Sequence, residues 1–192
     1  MRLLNSSPIL INFLAFKSGW VAAVYGPTQG MSWLGPVWIL GWVTAFFIWH
    51  KQHRTEWILL LGAAAIGYSL DSILVLSGAI RFPVDTKLGG PSPLWMVAMW
   101  LNFAGALRYA LGWLRDRFIL GAGLGMFFGP AAYLAGEKLG GIHIDGGLLP
   151  IAIEWLVAIP ILLYLERISR ASDIQLGKSP HNTTRLIKPS ED

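Results

Sequence analysis

The fold is decided by residues 94–114, LWMVAMWLNFAGALRYALGWL. This stretch has the length and apolar character of a membrane-spanning helix, since about 20 residues cross a hydrocarbon core. It nevertheless carries Asn102, Arg108 and Tyr109. Because an arginine at membrane depth is costly in free energy, Arg108 is predicted to face a partner or a water-filled cavity instead of lipid.

The composition supports a membrane protein. Of 192 residues, 54% are hydrophobic and only 14% are charged, whereas about a quarter of the residues in a soluble domain are charged. The 10 tryptophans suit the two membrane interfaces. The absence of cysteine excludes disulfides, cysteine-ligated metals and a thiol nucleophile.

Five further apolar segments accompany the first. We predict an all-α, six-helix transmembrane bundle over residues 1–166, followed by a polar, disordered cytoplasmic tail over residues 167–192. The predicted helices are 8–25, 33–49, 57–80, 94–114, 118–136 and 148–165. No soluble domain is predicted.

The basic residues predict the orientation of the bundle, because cytoplasmic loops carry an excess of lysine and arginine. With both termini inside, the inner segments hold ten basic residues and the outer loops hold three. The inner ones are Arg2, Lys51, Arg54, Arg115, Arg117, Arg167, Arg170, Lys178, Arg185 and Lys188, and the outer ones are Arg81, Lys87 and Lys138. We therefore expect a multi-pass protein of the bacterial cytoplasmic (inner) membrane with both termini in the cytoplasm.

Four charged side chains interrupt the apolar segments near mid-depth: Lys17, Asp71, Arg108 and Glu154. The face of the first helix that carries Phe13, Lys17, Trp20 and Val24 is predicted to point inward. Two interpretations stay open: a polar cavity for a charged headgroup, an ion or a proton, including an active site, or structural ion pairs that fix helix packing. The predicted binding set is Lys17, Tyr68, Asp71, Ser72, Asn102, Arg108, Tyr109 and Glu154.

A glycine ridge is predicted on the fifth helix. Gly121, Gly125 and Gly129 form a tandem GxxxG pattern, which allows close approach of a second helix. That helix could belong to the same chain or to a second copy, so a homo-oligomer through these glycines is one expectation. The sequence GAGLG within the ridge is not a dinucleotide-binding motif.

The sequence contains no HExxH, GxSxG, Walker or kinase motif and no histidine cluster. Glu137, His143 and Asp145 could contribute to a metal site only with a ligand from elsewhere, and a solvated loop is the favoured interpretation. We expect no metal and no cofactor. We also expect no nucleic-acid partner, because the basic residues form no stripe along one element.

Several segments together carry a family resemblance. In chain order they are NFLAFKSGW (12–20), EW (56–57), GYSLDSILVLSGAIRF (67–82), PLWMVAMWLNFAGALRYALGWL (93–114) and FGPAAYLAGEKLG (128–140). The chain resembles the bacterial inner-membrane family known as domain of unknown function 2878, which implies a small polytopic membrane protein without an established activity. Asp71 and Ser72 fit the family pattern. The pattern has glutamine in place of Lys17 and Asn-His in place of Arg108-Tyr109, so the resemblance implies no shared catalytic role for these residues.

The leading functional hypothesis is a membrane component that binds or moves a small amphiphile or lipid through a polar cavity at mid-membrane. Its partners are then the lipid bilayer and that ligand. One alternative is a membrane-embedded lipid-modifying enzyme with Asp71 or Glu154 as the acid or base. The other is a non-catalytic scaffold that holds lipid-modifying enzymes at the membrane.

Overall fold

A computed structural model describes residues 7–49, 56–83 and 88–177 and shows a bundle of six α-helices. The helices are α1 (Ser7–Thr28), α2 (Leu34–Trp49), α3 (Glu56–Leu76), α4 (Leu94–Arg108), α5 (Phe118–Lys138) and α6 (Leu149–Gly177). Two short strands, β1 (Ile80–Arg81) and β2 (His143–Ile144), pair antiparallel. The predicted all-helical architecture is confirmed, with this strand pair as an addition.

Four helical segments are long and apolar enough to cross a membrane. They are Ile9–Thr28, Glu56–Leu76, Phe118–Lys138 and Leu148–Ile174. The apolar part of α2, Leu34–Phe46, is shorter, and α4 has 15 residues. At 1.5 Å per residue α4 is about 22 Å long, less than the hydrocarbon thickness of about 30 Å.

Helix α4 is the centre of the bundle. It contacts α1, α2, α3 and α6, and ten of its 15 residues are buried. A helix enclosed by protein can end at membrane depth, because its free backbone groups face other residues and not lipid. The stretch that organises the sequence therefore also forms the core of the structure.

The helix predicted over residues 94–114 ends early, at Arg108. The backbone N–H of Ala110 donates to the Asn12 side-chain oxygen at 3.3 Å, so α1 satisfies a group that would otherwise continue the helical ladder. The chain then turns and forms a short 3-10 helix, Gly112–Leu114, before α5 begins. We call this end of the bundle, with Arg108 and Arg115, the arginine end.

The opposite end holds the strand pair, and we call it the strand end. Helix α3 stops at Leu76, not at the predicted residue 80, because Gly78 adopts a positive φ of 74° and the Ala79 N–H bonds back to the Leu74 carbonyl. Arg81 then forms a two-pronged ion pair with Asp145. The guanidinium lowers the pKa of Asp145 and the carboxylate raises the pKa of Arg81.

Helix α6 is longer than predicted. It continues past residue 165 to Gly177, so the tail predicted from residue 167 is helical over its first residues. The reason is a polar face on the extension: Glu166, Ser169 and Asp173 recur at helical spacing and contact Arg108 of α4. The rest of the predicted tail, residues 178–192, lies outside the described residues.

The glycine ridge of α5 packs against α6 of the same chain. A Cβ atom on Gly121 would lie 2.7 Å from Leu163, and one on Gly125 would lie 2.5 Å from Ile159. Both distances are too short for a real contact. At Gly125 the added atom would also lie 2.9 Å from the Trp155 carbonyl oxygen, so the close approach of the two helices requires glycine there, whereas the Leu163 methyl group beside Gly121 can move. Of the two uses predicted for the ridge, the structure shows packing within the chain; association of two chains through the same glycines would require α6 to leave.

Replacing Gly125 by alanine tests this packing. We expect Gly125→Ala to lower the free energy of unfolding by about 1–3 kcal/mol, because the added methyl group overpacks the helix contact. Gly123→Ala is the matched control, since no atom lies within 4 Å of its added Cβ. It should be neutral or stabilising by up to about 1 kcal/mol. Tryptophan fluorescence during denaturant unfolding in detergent measures both, and equal effects would contradict the packing.

Candidate functional site

A buried carboxylate on α3 is the centre of the candidate site. Asp71 is fully buried. Its Oδ2 atom accepts a hydrogen bond of 2.7 Å from Trp100 Nε1 on α4, and its Oδ1 atom accepts one from the Tyr133 hydroxyl on α5. Helix α3 is thereby joined to two other helices through a single side chain.

A second carboxylate shares the same tyrosine. Glu154 on α6 is buried, and its Oε2 atom lies 3.4 Å from the Tyr133 hydroxyl. Its Oε1 atom is buried and has no hydrogen-bond partner among the described residues. We call Asp71, Tyr133 and Glu154 the acid cluster. One phenolic proton cannot serve both carboxylates at once, and two adjacent buried carboxylates do not both ionise without a cation. The arrangement therefore suits a site that holds an additional proton.

Two glycines create the space for the acid cluster. A Cβ on Gly67 would lie 2.0 Å from Cγ of Trp100, and one on Gly129 would lie 2.2 Å from Cγ of Trp155. Each glycine lies one helical turn before a member of the cluster, Asp71 or Tyr133. The two indole rings stack at 5.1 Å between centroids. The glycines thus allow both indoles to pack beside the carboxylates.

Tyr133 was not among the predicted site residues. Its position four residues after Gly129, on the face of the predicted glycine ridge, is the signal in the sequence that could have identified it. The ridge faces α6, so Tyr133 reaches Glu154 on that helix. The sequence does not reveal that Asp71 arrives from α3 at the same level.

Arg108 does not meet Asp71 or Glu154, which corrects the expectation that the charges near mid-depth neutralise one another. It is buried at the arginine end, where it forms ion pairs with Glu166 and Asp173 of α6. Arg115 also pairs with Glu166, at 3.3 Å, and donates to the Arg108 carbonyl at 2.7 Å. These contacts join the end of α4 to the extension of α6.

Lys17 and Phe13 do not face the bundle interior, which corrects the inward position predicted for them. Of the other two residues of that predicted face, Val24 is buried and Trp20 is half-buried. Lys17 and Phe13 are both exposed, and the ammonium lies 5.6 Å from the centre of the Phe13 ring. The face that packs on α4 carries Asn12 and Gly19 instead, and Ala23 packs on Gly35 of α2. Small and amide side chains allow a closer helix contact than lysine and phenylalanine do.

The other predicted binding residues make separate contacts. Tyr68 donates to the Gly90 carbonyl at 2.9 Å, and Ser72 accepts from the Ser92 N–H at 3.4 Å. Asn102 donates to the Phe16 carbonyl at 2.9 Å, which links α4 to α1. Tyr109 donates to Glu56 at 2.9 Å. Asp71 and Glu154 are therefore the two residues of the predicted binding set that belong to the acid cluster.

A long apolar groove lies beside the acid cluster. It runs between α1 and α5, is backed by α4 and α6, and has a volume of about 550 Å³. Its lining along α5 extends from Gly121 to Gly136, which corresponds to about 22 Å of helix. Trp100, Tyr133 and Trp155 belong to both the groove wall and the surroundings of the carboxylates. The aromatic wall thus separates the groove from Asp71 and Glu154.

The loop residues considered as metal ligands have other contacts. The Glu137 Oε1 atom accepts from the Ile144 N–H at 2.8 Å, and Asp145 is paired with Arg81. Within residues 7–49, 56–83 and 88–177, no group of three histidine, aspartate or glutamate side chains could hold a metal ion. These contacts hold the strand end together.

The fold and the site define a class: an α-helical protein with helices suited to a membrane, a buried acid cluster and an apolar groove. The chain belongs to the family described as "Protein of unknown function (DUF2878)", which matches residues 9–161. No curated protein and no solved structure matches the chain. The predicted family is confirmed.

Amide substitutions test the hydrogen-bonding roles in the acid cluster. Asp71→Asn should lower the free energy of unfolding by about 2 kcal/mol, because the new NH2 group faces a donor where the carboxylate accepted two hydrogen bonds. Glu154→Gln should lower the free energy of unfolding by less than about 1 kcal/mol, because the new NH2 group can donate to the Tyr133 oxygen. Denaturant unfolding in detergent measures both. Equal losses in the two variants would contradict the difference in roles.

Proposed function

We propose that this protein is a multi-pass membrane protein that binds or moves a small amphiphile or lipid whose apolar chain lies in the groove. The observation that carries this proposal is the groove itself. Its volume of about 550 Å³ falls within the range of ligand pockets, about 300–1,000 Å³. Its lining is dominated by aromatic and aliphatic side chains.

The groove is accessible from the side of the bundle. Phe128 and Trp113, which line it, are 59% and 54% exposed. In a bilayer such residues contact acyl chains, so an amphiphile can enter laterally without passing through water. The deep wall, formed by Trp100 and Trp155, then gives that chain an aromatic surface that the surrounding lipid does not provide.

We further propose six crossings, with both termini in the cytoplasm of a bacterium and the bundle in its inner membrane. The support is the charge distribution, with ten basic residues on one side and three on the other. Four of the ten, Arg115, Arg117, Arg167 and Arg170, belong to the α4–α5 connection and the extension of α6. Helix α4 needs no full-length apolar span, because protein surrounds it.

A membrane-embedded lipid-modifying enzyme is the second candidate. The observation that favours it is the convergence of Asp71 and Glu154 on Tyr133, a residue that also lines the groove. A phenol between a bound substrate and two carboxylates can pass a proton between them. The carboxylates themselves lie behind the wall, so binding is the function that the geometry favours. The variant Tyr133→Phe distinguishes the two candidate functions. A binding protein would keep its ligand in this variant, whereas an enzyme would lose turnover.

Filling the groove tests the proposed binding. We expect Ala132→Trp to reduce photocrosslinking of diazirine-labelled palmitate and hexadecanol by about tenfold, because the indole occupies space where an apolar chain is buried. Wild-type adducts should map to groove residues such as Met99 and Phe128. Tandem mass spectrometry of the protein in nanodiscs locates and counts them.

Ala65→Trp is the matched control, since Ala65 is exposed on α3 and does not line the groove. It should leave the groove adducts unchanged. Adducts scattered evenly over the lipid-facing surface of the wild type, or an equal loss in the two tryptophan variants, would refute the proposed function.

A further inference from the structure

Lys17 lines the groove, and its ammonium has no anionic partner among the residues that the structure describes. It is the one charged side chain among the described residues that line the groove. Within residues 7–49, 56–83 and 88–177, no carboxylate lies within ion-pair distance of its ammonium. The nearest interaction of the ammonium is with the face of the Phe13 ring. A counter-charge for Lys17 must therefore come from outside the described residues.

The position of Lys17 makes this lack of a partner costly. Helix α1 extends from Ser7 to Thr28, which places Lys17 about 15 Å along the helix from either end. In a hydrocarbon core of about 30 Å this is mid-depth, where an exposed lysine carries a free-energy cost unless water or an anion meets it. A lysine near a helix end can extend its ammonium to the interface, but a central one cannot reach so far.

Lys17 forms no ion pair with the buried acidic residues of the bundle that the structure describes. Asp71 and Glu154 lie behind the aromatic wall and contact Tyr133. Glu166 and Asp173 pair with Arg108 at the arginine end. Every one of these carboxylates has its own contacts within the bundle, so the groove side of Lys17 remains available to a ligand.

We infer that Lys17 forms an ion pair with the anionic group, a carboxylate or a phosphate, of a single-chain amphiphile bound in the groove. This inference rests on the proposed function and names the class of ligand. A single chain with a small polar group fits, because the groove follows the length of α5 and Lys17 lies at mid-depth, where a bulky headgroup would be costly.

The direction of the lysine side chain orients the ligand. The ammonium lies over Phe13, one helical turn closer to the arginine end than the Lys17 backbone. The anionic group then sits in the half of the groove towards the arginine end. The strand-end half, which includes Trp95, Met96 and Met99, is left for the apolar chain.

Charge removal at Lys17 tests the inference. Native mass spectrometry of the detergent-solubilised full chain measures binding of palmitate, hexadecyl phosphate and hexadecanol. We expect Lys17→Gln to weaken binding of the two anions by about tenfold or more, as for loss of a hydrogen bond to a charged group. Hexadecanol should bind the wild type and the variant equally. Comparison of palmitate with hexadecyl phosphate identifies which anion the site prefers.

Two variants serve as controls. Lys138→Gln removes the same charge from an exposed site outside the groove and should leave binding of both anions unchanged. The variant Lys17→Arg should bind both anions about as tightly as the wild type does, because it keeps a cation at the same position. Lys17 makes no hydrogen bond or ion pair within the described residues, so its replacement leaves the fold intact.

Unchanged anion binding in Lys17→Gln, together with loss of all three probes in Ala132→Trp, would overturn the Lys17 inference and leave the groove function standing. Equal weakening by Lys17→Gln and Lys138→Gln would also overturn it, because general attraction to a cationic protein would then explain the binding. Binding of all three probes that survives in Ala132→Trp would refute the groove function itself.

Discussion

A carboxylate within an apolar bundle needs hydrogen-bond donors, and the arrangement of the helices around Asp71 meets this need. An unpaired polar group costs several kcal/mol in a medium without water. Trp100 from α4 and Tyr133 from α5 donate to Asp71, and Tyr133 also contacts Glu154 of α6. Four helices are thus joined through one acid cluster, so loss of any donor would leave a buried oxygen without a partner.

The space for these donors comes from the smallest residues of the chain. Gly67 and Gly129 each allow an indole ring to lie against a helix backbone, at positions where any side chain would collide with it. One indole packs between α3 and α4, and the other packs between α5 and α6. Because the two indoles stack on each other, these two helix contacts are packed against one another. Trp100 therefore serves both purposes, since its indole donates to Asp71 and packs on Gly67, whereas Trp155 contributes packing.

The sequence predicts the helices, the central importance of α4 and the tight glycine ridge, because apolar length and residue spacing are local properties. It does not predict which charges meet. Opposite sign and similar depth allow Arg108 to pair with Asp71 or Glu154, but depth along separate helices gives no information on which helices are neighbours. Arg108 has acidic partners on a polar extension of α6, where the apolar pattern had indicated the end of the helix.

The groove and the acid cluster are bordered by the same three aromatic side chains. Trp100, Tyr133 and Trp155 satisfy or surround the carboxylates on one side and line the groove on the other. An apolar chain in the groove would therefore press on the same rings that hold the acid cluster in place. A ligand that binds only this arrangement stabilises the folded bundle by mass action. Conversely, any movement of Tyr133 that frees Asp71 would change the shape of the groove, because the same phenol ring contacts the carboxylate and lines the groove.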